Sequence, residues 1–160
     1  MKTLALFLLL TGMCFGAETN SFPASSATWK DHFGSSDRAT NAVLCLMARG
    51  FFLAPTTNVQ AVTEAWLKEH PKAQITKVST MGPALEKAPQ SKVAFVWVVD
   101  GDHSLNVELV RRGCFQPQTQ KLAKEQKLDI AQKDYDAFLE KVMEAGKAAR
   151  EDKVGIWKGK

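Results

Sequence analysis

Beyond Ala17 the sequence has no apolar run long enough to cross a bilayer as a helix, no internal repeat and no low-complexity tract. Membrane-spanning helices and repeat arrays are therefore excluded for that part of the chain. Histidine is scarce. His32, His70 and His103 show no paired metal-ligand spacing and none of the Cys or carboxylate patterning of zinc sites, so each reads as a surface or loop residue. Cysteine is scarce too, with Cys14, Cys45 and Cys114 alone. The excess of positive charge is small, +4 overall. Because the basic residues alternate with acids, especially after Lys121, they read mainly as a solvated helical surface. The balance mildly favours an anionic partner such as nucleic acid or a cell-envelope polymer.

What the chain does have begins at its first residues. Lys2, the apolar run Leu4–Leu10 and the small residues around Cys14-Phe15-Gly16-Ala17 form the pattern of a secretory signal. Cleavage after Gly16 places Cys14 and Gly16 at the third-last and last signal positions, whereas cleavage after Ala17 requires bulky Phe15. Met13 before Cys14 argues against lipid attachment. The expected organisation is a signal peptide over 1–16, a flexible Ser/Thr/Asn-rich leader over 17–28 and one domain over 29–160, exported to the periplasm or the medium. In that oxidising setting Cys45 and Cys114 are expected to form a disulfide, two unlinked buried thiols being the alternative. Cys45, between Leu44 and Leu46, reads as structural rather than nucleophilic.

Ala39, Ala42, Val43, Leu46 and Met47 recur at three- and four-residue steps, which predicts a helix from Asp37 to about Gly50. Asn58 would cap a second helix, with Val59, Val62, Trp66 and Leu67 on one face and a stop at His70-Pro71. Ala73–Val78 alternates as a half-buried strand, and Lys92–Val99, rich in β-branched and aromatic residues, is the strongest strand. Asp100-Gly101-Asp102 supplies a tight turn. A helical turn through Leu109 and Val110 ends at Gly113, Leu122–Ile130 forms a short helix, and Tyr135, Phe138, Leu139, Val142 and Ala145 mark a long final helix closing near Gly155-Ile156-Trp157. The fold class is α+β, a small antiparallel sheet packed with N- and C-terminal helices.

Val93-Ala94-Phe95-Val96-Trp97, the Asp-Gly-Asp turn, Leu105-Asn106-x-x-Leu109-Val110-Arg111-x-Gly113 and the terminal Gly155-Ile156-Trp157 occur in this order over roughly residues 58–158. In that order they resemble the later half of a staphylococcal-nuclease-like domain, an OB-type fold. Each motif also has a local account: Asn106 as a helix cap, Gly113 as a helix end, Trp157 as a terminal anchor.

The resemblance implies a metal-assisted phosphodiesterase, in which carboxylates hold calcium, a glutamate activates water and two arginines neutralise the phosphate. The family draws the carboxylates, the glutamate and one arginine from strands and loops ahead of the first matching helix. Here that place, Trp29–Pro55, reads as helix and lacks an Asp-x-Pro-Glu-like element. The second arginine aligns with Ser91, next to Lys92, which offers charge without a two-pronged contact. The resemblance thus implies a catalytically degenerate module that binds or supports and needs no cofactor. The alternative is a calcium-dependent phosphodiesterase with a rearranged site built from Asp100, Asp102, Arg111 and Arg112, the two aspartates serving as metal ligands. An inhibitor or envelope-interaction module is a third class that no residue pattern favours or excludes.

Overall fold

A computed structural model describes residues 21–30, 33–36, 42–46, 59–81, 92–117 and 127–159. The strands are β1 (Ser21–Pro23), β2 (Ala27–Lys30), β3 (Phe33–Ser36), β4 (Ala42–Leu46), β5 (Gln74–Met81), β6 (Lys92–Asp100) and β7 (His103–Ser104). The helices are α1 (Val59–Glu69), α2 (Leu105–Arg111) and α3 (Gln132–Glu151), with single 3-10 turns at Ala24–Ser26 and Gly155–Trp157.

All seven strands join one sheet in the order β1-β5-β6-β4-β3-β2, with β7 also paired to β6. Every pair is antiparallel except β4 with β6. Six strands spaced about 4.8 Å apart would put β1 and β2 about 24 Å from each other in a flat sheet. Yet only Ala24–Ser26 separates them in sequence, and four Cα steps reach at most about 14 Å. The sheet must therefore curl until its two edges approach, giving a partly barrel-like α+β fold.

Central β6 is buried continuously from Ala94 to Val98, because the curled sheet closes over one face and helices over the other. On the helix side Trp97 stacks on Phe138 of α3 with centroids 3.9 Å apart. By alternation Val96 and Val98 face the opposite side. Helix α3 turns Tyr135, Phe138, Val142, Ala145 and Ala149 inward, a stripe at three- and four-residue spacing as its sequence predicts, although Leu139 is only partly covered. Helix α1 buries Val59, Thr63 and Trp66 on one face.

Several expectations need correction. Residues 42–46 are strand, not helix. Leu44, Cys45 and Leu46 are all buried, and a strand covered on both faces shows an unbroken apolar run that mimics a buried helix segment. The nearest residues of the expected leader are ordered into β1, the Ala24–Ser26 turn and the start of β2. Edge strand β1 takes its backbone partners from β5. Ser104, not Asn106, caps α2, accepting from the Val107 amide. The expected signal segment, the Asn58 cap, Ser91, and residues 122–126 of the expected short helix lie outside the described residues; the described remainder is not helical, and Leu128 forms an isolated bridge to Ser79.

Gly113 and Gly155 hold the C-terminus to the end of α2. Both have positive φ, 66° and 55°. The Ile156 amide donates to the Gly113 carbonyl at 2.9 Å. A Cβ on Gly113 would strike the Val154 carbonyl, and one on Gly155 would strike the Gly113 carbonyl. The sequence motifs at 106–113 and 155–157 are thus two halves of one contact.

Candidate functional site

Asp100 ends β6, and Gly101-Asp102 forms the turn into β7, as the sequence predicts. The pairing of Asp100 with His103 across that turn sets the two residues side by side. Helix α1 ends against the same place. The His70 amide donates to the Trp66 carbonyl at 2.9 Å, carrying the helical bonding one residue past Glu69, and Pro71 prevents a further turn. One helical turn apart, the Trp66 and His70 rings stack with centroids 4.1 Å apart.

The His70 ring meets Asp100 on one side and His103 on another. Its Nδ1 lies 3.3 Å from Asp100 Oδ2, and the two imidazole centroids are 5.1 Å apart at 40°. The imidazole and carboxylate side chains are 19% and 32% exposed, so the pair is only partly shielded from water. On its flank lies a depression of about 320 Å³ lined by Ala24, Ser25, Ala27, Leu67, Lys68, His70 and Pro71. Sequence reasoning missed this grouping because His70 and His103 belong to separate elements. Only the β6–β7 register and the end of α1 bring them together.

The four residues of the rearranged-site alternative do not gather. Asp102 is exposed in its turn. Arg111 and Arg112 lie at the far end of α2, a helix that rises about 10 Å over its seven residues. Arg111 pairs with Asp152 at 2.6 Å, and Arg112 pairs with Glu108 one turn back, an interaction that raises the Arg112 pKa further. Each candidate arginine already has a carboxylate, and Asp100 has an imidazole.

The residues present do not fit the calcium site that the resemblance implies. Strands β2, β3 and β4 carry no Asp or Glu. Among the described residues no group of three or more His, Cys, Asp or Glu side chains could hold a metal ion.

Cys45 lies mid-strand in β4 and Cys114 follows α2, both as buried free thiols, so the expected disulfide is not formed. Burial pushes the Cys45 thiol up to about 12. Burial also raises Cys114, with Arg112 opposing the shift. Neither is poised as a thiolate nucleophile.

No family model matches the chain, and no curated protein matches it.

Proposed function

We propose that this is an exported protein with a nuclease-like fold whose catalytic chemistry is degenerate, and that it acts as a binding or structural module. An anionic polymer such as nucleic acid is the partner its basic balance favours. The observation that carries the reading is the separation of Asp100 and Asp102 from Arg111 and Arg112, with both arginines neutralised by Asp152 and Glu108. Calcium-assisted cleavage needs clustered oxygen ligands, a base and unneutralised positive charge around one phosphate. The order of one helix, three strands and a helix from α1 to α2, followed by α3, and the Gly113–Gly155 clasp support the fold resemblance; the lack of carboxylates on β2–β4 supports the degeneracy.

Purified protein incubated with single-stranded DNA or RNA and calcium should leave the polymer intact while retarding it in a salt-sensitive manner. Cleavage that a calcium chelator abolishes, and that disappears in Asp100→Ala or Asp102→Ala, would establish the calcium-dependent phosphodiesterase instead. Intact polymer with no retardation would remove nucleic acid as the partner.

A further inference from the structure

Positive charge gathers at the C-terminal end of α3. The carboxylates of Glu108, Asp152 and Glu151 are already held there by Arg112, Arg111 and Lys147. Arg150, Lys153 and Lys158 are exposed, and among the described residues none of them has a carboxylate partner. The local backbone keeps these cations together. The Lys153 amide donates to the Arg150 carbonyl at 3.2 Å, and the Lys158 amide donates to the Gly155 carbonyl at 3.1 Å. The Arg150 guanidinium lies 4.5 Å from the centre of the Trp157 ring, over its face. A guanidinium stacked on an aromatic ring is held in one plane, and its N–H groups point outward along that plane.

Lys153 also has a left-handed backbone. It follows the Asp152 cap of α3 with φ 52°, and the Val154 amide donates back to the Ala149 carbonyl at 3.1 Å. Helix ends of this kind usually place glycine there, because a Cβ is strained in that conformation. The chain keeps a cation where glycine would be more stable. From this arrangement we propose that Arg150, Lys153 and Lys158 form the docking surface for the phosphodiester backbone of a nucleic acid, an assignment that rests on the polymer-binding role given above. Phosphate suits these groups, since an arginine fork can take two phosphate oxygens while each lysine acts as a point charge. Contacts to the backbone alone fix position without reading base sequence.

The test is fluorescence anisotropy of a labelled oligothymidylate titrated with the purified protein over a range of NaCl concentrations. Three phosphates neutralised on a single strand give log Kd a slope of about 2 against log salt. Lys153→Gly should raise the thermal midpoint by relieving the left-handed strain, yet lower that slope by about 0.7. Lys158→Gln should lower the slope equally, while Lys133→Gln, about 26 Å away along α3, leaves it unchanged. A gain of stability with a loss of binding in Lys153→Gly separates the docking role from folding. Wild-type protein that binds while the Lys153 and Lys158 variants keep its slope overturns this surface and leaves polymer binding standing. Wild-type protein that binds no oligonucleotide overturns both. Polyglutamate that displaces the oligonucleotide at equal charge concentration overturns phosphate as the ligand chemistry.

Discussion

Replacing Asn106 by alanine isolates the contact on which the β6–α2 junction depends. Strand β4 pairs with β6 only as far as Leu46 opposite Val96, while β6 continues to Asp100. Beyond that last described pair the Asn106 amide bonds to β6: Oδ1 accepts from the Val98 amide at 2.9 Å and Nδ2 donates to the Val96 carbonyl at 3.0 Å. Asn106 is 1% exposed and Val96 and Val98 are fully buried, so water cannot replace the missing amide. Each of the two orphaned buried groups costs about 1–3 kcal/mol, giving a loss of about 2–6 kcal/mol for Asn106→Ala, a large share of the roughly 5–15 kcal/mol typical of a domain. Urea unfolding should show the midpoint falling at an unchanged slope. Asn106→Asp adds a pH signature. Its carboxylate can accept from Val98 but must be protonated to donate to Val96, so burial and that bond raise its folded pKa above the unfolded value of about 3.9. A raised folded pKa gives stability that is present below the unfolded value and lost as pH rises through the folded one. Asn106→Asp should therefore approach wild type near pH 4 and fall well below it at pH 7. A loss under about 1 kcal/mol for the alanine variant, or a pH-independent deficit for the aspartate, would refute the bridging role.

Phe138→Ala removes the ring stacked on Trp97 and, at 7% exposure, should cost about 3–5 kcal/mol in the same assay; under about 1 kcal/mol would place α3 outside the core. Gly155→Ala forces both a left-handed backbone and a collision with the Gly113 carbonyl, so it should lose more than the roughly 1 kcal/mol of conformational strain alone, measured by thermal unfolding. Thiol titration should find Cys45 and Cys114 unreactive in the native protein and both reactive once it is unfolded without reductant. Because the folded pKa of Cys45 is raised from 9.0 to about 12, its contribution to stability is full below pH 9 and declines as pH rises through 12; stability that climbs across that window would contradict the burial.

Local physics made much of this protein legible in its sequence. The apolar spacing of Tyr135, Phe138 and Val142 predicts α3, the β-branched run predicts β6, and Asp-Gly predicts the turn that follows. These features depend on neighbours a few residues away. Leu44-Cys45-Leu46 could not be read in the same way, because burial on both faces erases the alternation that distinguishes a strand, and burial comes from β6 some fifty residues later. Asn106 carries a similar ambiguity: as a local signal it is a cap, but in the fold its amide bonds the backbone of Val96 and Val98 beyond the last described β4–β6 pair. The grouping of His70, Asp100 and His103 was likewise invisible, since the end of α1 and the register of β6 on β7 set its distances. The sequence by itself determined α1, β5, β6, the Asp-Gly turn and α3, whose signals come from residues close in the chain. Tertiary structure alone decided which polar residues meet, because a curled sheet brings together side chains that the chain holds far apart.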